Sequence, residues 1–314
     1  MADGEAGGPA SDPAFQREVL AGLALPQKAI SSKWLYDQRG SELFEAITQL
    51  EEYYPTRTET AILTAHAGDM ARRIGGGAVI VEYGAGAAVK TRLLLDALAA
   101  PAVYAPLDIS EDFLKLSAAT LAADYPDLDV VPIVGNFLDR VDLPTLPLAN
   151  RCGFFPGSTI GNLTDAQIVQ FFRTARACLG AEAKMLLGFD LRKSPDVLVP
   201  AYDDAKGITA DFNLNLLARI NREIGADFDL SAFAHEARWN DEASQIEMHI
   251  VSRRAQMVTV AGQRIEFAAG ETIHTEISRK FPVESLSATL AESDWGFEAS
   301  WLDERSYFCM ALLA

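Results

Sequence analysis

The sequence predicts an α/β protein: a mostly parallel, doubly wound sheet closed by a late β-hairpin, accompanied by a second α+β lobe. Three observations predict it. Between residues 78 and 189, short apolar, β-branched runs alternate with segments of helical leucine spacing. From 236 to 281 the pattern changes to alternating apolar and polar residues, the mark of antiparallel strands. Two more apolar runs, 297–302 and 307–313, then close the chain as a strand pair.

Taken in order, residues 1–13 (MADGEAGGPASDP) are small, acidic and turn-rich, and a disordered start is expected. Residues 14–60 read as mostly helical, interrupted by the polar stretch around Gly40 and by Pro55. The run 78–83 (AVIVEY) is a buried strand ending in glycines, and 89–99 is a helix. A second strand is expected at 102–107, a helix at 110–123 capped by Ser110, and a third strand at 130–134. A fourth strand at 151–155, a helix at 165–179 and a fifth strand at 184–189 complete the alternation. Residues 196–204 and 208–224 read as helices, 245–251, 256–260 and 264–267 as strands, and 283–292 as a last helix. Short loops between strands and helices imply a parallel sheet, whose ligands bind at the carboxyl ends of the strands. Five parallel strands closed by a late hairpin are similar to the Rossmann-like layout of class I methyltransferases. The expected division is a helical part of the substrate lobe at 14–60, a nucleotide-binding domain at 61–195 plus 283–314, and an inserted α+β lobe at 196–282.

Composition narrows the partners. The 314 residues carry a net charge of −17, and such a surface repels phosphate backbones and anionic lipid. Neither nucleic acid nor membrane is expected as a partner; a small molecule is, with a monomer as the default state. Cys152, Cys178 and Cys309 are odd in number and far apart, which fits a reducing cytoplasm. His66, His235, His249 and His274 show no metal-ligand spacing, so no metal is expected.

The segment VIVEYGAGAAVKTRLLLDAL, residues 79–98, carries the strongest local signal. Glu82 ends the strand, and Gly84 and Gly86 make a tight turn into a helix, where side chains would block a ligand's approach. The third glycine of the dinucleotide fingerprint is missing, which argues against a nicotinamide or flavin dinucleotide. Asp108 lies 24 residues after Gly84, past the second strand, where a carboxylate accepts hydrogen bonds from a ribose diol. Asn136 and Phe137 follow the third strand, suited to an adenine's edge and face. Lys90 is within reach of a ligand carboxylate.

Four further segments are KWLYDQRGSELFEAI with LEEYYPTR, FFPGSTIGNL, AYDDAKGITADFNLNLLARIN and ETIHTEISRKF. With EYGAGAAVKTR, in this order and spacing from about Ser32 onward, they resemble the L-histidine Nα-methyltransferases of the ergothioneine pathway. The resemblance implies S-adenosyl-L-methionine as cofactor and trimethylation of the α-amine of histidine to hercynine. It implies Gly84, Gly86, Lys90, Asp108, Asn136 and Phe137 as cofactor-binding residues. It further implies that Tyr53, Asn162, Tyr202, Glu276 and Ser278 bind histidine, with Tyr36, Gly157, Thr209, Phe212 and Met248 lining the pocket. Asn136 departs from the Asp that many methyltransferases carry there.

Those residue types suit that chemistry. A buried carboxylate at Glu276 accepts an imidazole N–H, and Ser278, two residues on, shares its side of a strand. Tyrosine hydroxyls hold a carboxylate and an amine without adding charge. The substrate arrives as an ammonium ion, so a proton must leave before each attack. Tyr53, or a water it holds with Asn162, is the expected acceptor. Competing readings are the same chemistry on another amino acid such as tryptophan, and a non-catalytic module that only binds the cofactor.

Overall fold

The computed structural model describes residues 12–85, 89–141, 143 and 150–314. In chain order, α1 (Pro13–Leu23), the two-residue strand β1 (Lys28–Ala29), a 3-10 turn (Ser32–Leu35), α2 (Gln38–Thr48) and α3 (Tyr54–Ile74) come first. Then follow β2 (Val79–Tyr83), α4 (Val89–Ala97), β3 (Val103–Asp108), α5 (Glu111–Asp124), β4 (Asp129–Val130), β5 (Ile133–Val134) and β6 (Arg151–Phe155). A second 3-10 turn (Thr159–Asn162), α6 (Asp165–Leu179), β7 (Lys184–Asp190), the single turn α7 (Pro195–Leu198) and α8 (Ile208–Ile224) lead to a run of strands. These are β8 (Phe233–Asn240), β9 (Gln245–Ser252), β10 (Gln256–Val260), β11 (Gln263–Phe267) and β12 (Thr272–Arg279). The chain ends with α9 (Val283–Ala291), β13 (Phe297–Leu302) and β14 (Phe308–Leu313). No helix among the described residues is long and apolar enough to cross a membrane.

The chain forms two compact units. The first comprises residues up to Tyr54 and Ser194–Ser278; the second comprises Pro55–Lys193 and Arg279–Ala314. In the second unit the sheet runs β13-β14-β7-β6-β2-β3-β4, with β5 also pairing β3. The pairs among β2, β3, β4, β5, β6 and β7 are parallel, and β14 is antiparallel to both β7 and β13. The expected α/β class and closing hairpin are therefore present. Strand alternation sends Val79, Val81 and Tyr83 of β2 into one core and Ile80 into the other. Along β14, Cys309, Ala311 and Leu313 join the first core and Phe308, Met310 and Leu312 the second. Both faces are covered, which explains why these strands read as continuous apolar runs.

In the first unit, four strands lie in the order β1-β12-β9-β8, and β10 pairs with β11 as a separate hairpin. Helix α8 packs its Phe212, Leu216 and Ile220 side inward, all buried.

Several sequence expectations change. Disorder expected for 1–13 falls mostly outside the described residues, but Asp12 and Pro13 begin α1: the Asp12 carboxylate accepts the Ala14 N–H at 2.8 Å. Gly40 and Pro55 do not interrupt helices. Gly40 lies inside α2, where a Cβ would fall 1.8 Å from the Leu35 carbonyl oxygen, so glycine permits a close crossing. Pro55 is the second residue of α3, where no N–H is required. Ser110 precedes α5 without a side-chain cap bond; Asp108 instead accepts the Ser110 N–H at 2.9 Å. The third strand is two short pieces, β4 and β5, and the helix expected over 196–204 shrinks to α7. The remainder is a turn, because Asp204 turns back to accept the N–H groups of Lys206, Ile208 and Thr209 at the start of α8.

Candidate active site

In the second unit the predicted cofactor residues follow the carboxyl ends of β2, β3 and β5. Gly84 has φ 75°, and nothing lies within 4 Å of where a Cβ would stand, so conformation and open space both call for glycine. Its N–H donates to the Leu107 carbonyl at 2.9 Å, pinning the turn to the next strand. Gly86 lies outside the described residues. Asp108 ends β3, and burial raises its carboxyl above the usual range. Asn136 is exposed; its side chain accepts the Leu138 N–H and donates to Asp139, both at 3.1 Å, forming an Asx turn. Phe137 is half-buried, with its ring 5.4 Å from Phe155 and 5.8 Å from Phe171. An open glycine turn, a half-buried carboxylate one strand away and an aromatic beside an amide suit a nucleoside-bearing cofactor.

Lys90 is not a free cation. Its ammonium donates to Glu59 on α3 at 2.5 Å, and Glu59 is fully buried. Both Glu59 carboxylate oxygens also lie 2.9 Å from the Gly157 N–H. Gly157 (φ 79°) and Ser158 (φ 57°) form a left-handed turn after β6, and Ser158 Oγ accepts the Asp190 N–H at 3.0 Å. Asn162 ends the 3-10 turn that follows. It does not cap α6: Thr164 does, in a capping box with Gln167. At the foot of the glycine turn, buried Glu82 accepts from Tyr104 at 2.6 Å and Thr91 at 2.7 Å. Burial outweighs both hydrogen bonds and pushes this carboxyl up to about 7.

The first unit gathers most of the predicted substrate residues. Tyr36 stands edge-on to Phe212 at 5.4 Å, and Tyr53 to Tyr202 at 6.0 Å. The Tyr202 and Ser278 hydroxyls are 2.8 Å apart. Burial raises the Tyr36 phenol well above its ordinary 10, and the nearby Glu276 carboxylate, Tyr53 and Tyr202 raise it further. Tyr36, Tyr53, Tyr202, Phe212, Glu276 and Ser278 thus form one aromatic, polar cluster. Thr209 and Met248 are both buried, on α8 and β9. Gly157 and Asn162, grouped with these residues by resemblance, belong to the second unit.

Sequence reasoning missed several members. Phe44 lies 5.5 Å from Tyr36, 6.2 Å from Tyr53 and 6.0 Å from Phe212, but at helical spacing it reads as ordinary core. His235 is held between Asn213, whose amide contacts Nδ1 at 2.9 Å, and the Tyr202 carbonyl, 2.8 Å from Nε2. A carbonyl can only accept, so Nε2 carries the proton and Nδ1 accepts. Thr275 then donates to Asn213 at 2.7 Å. This buried chain fixes the backbone at Tyr202, and burial keeps His235 less basic than usual.

Several known proteins are similar to this chain. A family model described as "Histidine-specific methyltransferase, SAM-dependent" matches residues 15–314. The histidine N-alpha-methyltransferase of Mycolicibacterium smegmatis is 42% identical over 305 residues, covering 95% of this chain and 94% of that protein. Its namesake from Mycobacterium tuberculosis is 40% identical over 307 residues, covering 96% and 95%. Ergothioneine biosynthesis protein 1 of Neurospora crassa is 39% identical over 197 residues, which is 61% of this chain and 22% of that protein. An S-adenosylmethionine-dependent methyltransferase from Clostridium acetobutylicum shares the fold, with a TM-score of 0.51 at 9% identity over 87% of this chain and 97% of that one.

Proposed function

Because the chain belongs to the family of S-adenosylmethionine-dependent, histidine-specific methyltransferases, we propose that it methylates the α-amino nitrogen of free L-histidine. Three successive transfers yield trimethylhistidine (hercynine), the first step towards ergothioneine. The observation that carries this reading is the first unit's cluster, where Glu276 and three tyrosines lie together among aromatic rings. In it, Glu276 accepts the imidazole N–H, and the Tyr202–Ser278 pair binds the amino-acid end. A ring without an N–H offers Glu276 no such bond, which disfavours apolar amino acids.

S-adenosylmethionine supplies a methyl group already activated on a sulfonium, so the protein's task is largely positioning and proton removal. Gly84 would cradle it, with Gly86 outside the described residues; Asp108 would take the ribose hydroxyls, and Asn136 and Phe137 would meet the adenine. Lys90, held by Glu59, would bind the methionine carboxylate. Tyr53, only 7% exposed, accepts the proton that the ammonium must lose before each attack. Asn162 and Gly157 contribute polar groups after β6. Three unpaired cysteines, two of them buried, suit a reducing cytoplasm, and a monomer suffices for this chemistry.

The test is mass spectrometry of purified protein incubated with S-adenosylmethionine and single free amino acids. One to three added methyl groups on histidine alone are expected; methylation of phenylalanine, whose ring has no N–H, instead would overturn the role given to Glu276. Tyr53→Phe should slow transfer by about 100-fold or more while cofactor affinity holds. Equal loss of both would remove Tyr53 from proton transfer.

A further inference from the structure

A second cluster of chemistry-bearing side chains lies in the first unit and has no part in the proposed methyl transfer. On β9, Glu247 and His249 are two residues apart and so share a side of the strand. β12 lies beside β9 in the sheet and adds His274. The His249 and His274 rings stack with centroids 4.8 Å apart and planes 16° from parallel. One ligand atom from each of the three residues lies within 4.8 Å of the others. We propose that Glu247, His249 and His274 bind a single divalent transition-metal ion of the Zn²⁺ class.

Spacing is the first support. Ligands at about 2.1 Å from a tetrahedral ion stand about 3.4 Å apart. His249 Nε2 and Glu247 Oε2 are 3.3 Å apart. Closing the widest separation needs a modest side-chain movement, and Glu247 and His274, both only partly buried, have room for it.

Second is the way the ligands are held. Glu247 Oε1 accepts from the amides of Asn240 and Gln245, each at 2.8 Å, which leaves Oε2 turned to His249. His274 Nε2 donates to the Glu276 carbonyl at 3.1 Å, so its lone pair lies on Nδ1. A carboxylate fixed through one oxygen and an imidazole fixed through its far nitrogen are how proteins orient metal ligands. Arg238, opposite Glu247 in the β8–β9 register, is occupied by two hydrogen bonds to Glu236 at 2.9 and 2.8 Å.

Third, His249 is 5% exposed, so water competes little for its Nε2. Two imidazoles and a carboxylate select Zn²⁺, Co²⁺ or Ni²⁺ over Ca²⁺ and Mg²⁺, which prefer oxygen. The sequence hides this set, because His249 and His274 lie 25 residues apart on different strands.

The experiment uses tag-free, full-length protein stripped with chelator and kept free of histidine, which itself binds zinc. Titration with Zn²⁺ by calorimetry, and with Co²⁺ by visible absorption, should show one saturable site of micromolar affinity. His274→Ala and Glu247→Gln should each weaken binding at least about tenfold. Both side chains are partly exposed, and circular dichroism identifies any variant that fails to fold, leaving the other to decide. No saturable binding up to about 100 µM, or binding that a folded variant retains unchanged, overturns the site. The outcome does not depend on which amino acid is methylated.

Discussion

Glu59 has no exposed surface and bonds two groups at once, the Lys90 ammonium and the Gly157 N–H. Gly188 makes room for it, since a Cβ there would lie 2.1 Å from Glu59 Oε1. Removing the carboxylate's charge leaves Lys90 partly buried without a counter-ion. Glu59→Gln should therefore weaken S-adenosylhomocysteine binding about tenfold in calorimetry; an unchanged affinity would separate this network from the cofactor. Glu82 makes a pH prediction. Its folded carboxyl titrates near 7 against an ordinary 4.5, so between those values the folded protein holds a proton that the unfolded chain has lost. Its contribution to stability is full below about 4.5 and is lost as pH rises through about 7. Urea unfolding should show Glu82→Gln gaining on the unmutated protein by on the order of 3 kcal/mol from pH 4.5 to 8. A difference that stays constant with pH would mean that Glu82 does not titrate in this window. At this scale, the residues legible in the sequence were those in glycine turns or tyrosine-rich motifs. Glu59 was not, because its partners are 31 and 98 positions away and nothing local distinguishes it from a surface glutamate on a helix.

Elements with a single clear pattern read well. β6, α6, α8 and β13 start and stop where apolar runs, caps and glycines place them. β8 and β12 were harder, because polar residues such as His235 and Thr275 are buried in a hydrogen-bonded network rather than turned to solvent. β1 is two residues long and exists only because β12 runs parallel beside it. Within the second unit, the end of β7 is held ionically. Asp190 closes β7 and meets Lys280 at 2.9 Å and Lys193 at 2.5 Å, with Asp190 and Lys280 side chains fully buried. Lys280→Met removes one of the two lysines on Asp190 and should cost about 3 kcal/mol in denaturant unfolding, the low end for a broken buried pair. An unchanged midpoint would mean that the pair contributes nothing to stability.

For the whole molecule, the division into two units has a measurable consequence. Each ligand should stabilise the unit whose residues bind it, by about 2.7 kcal/mol at a hundredfold excess over its Kd. In hydrogen exchange, S-adenosylhomocysteine should slow exchange in β2, β3 and the turn after β6. Histidine should slow it around Tyr36, in α8 and in β12. The opposite pattern would reverse the assignment of ligands to units. The net charge of −17 leaves this unaffected, since it governs solubility and partners rather than the fold.

What the sequence determined alone was periodic or local. The parallel sheet follows from apolar runs at strand length, the cofactor turn from glycines after a strand, and the family from five motifs in order. Tertiary structure decided what depends on residues distant in sequence. It gave Lys90 a buried counter-ion, put Phe44 among the tyrosines, tied His235 to the Tyr202 carbonyl and brought His274 beside His249. Burial and pairing arise only when separate elements pack, and desolvation then sets the charge and hydrogen-bonding state of each group.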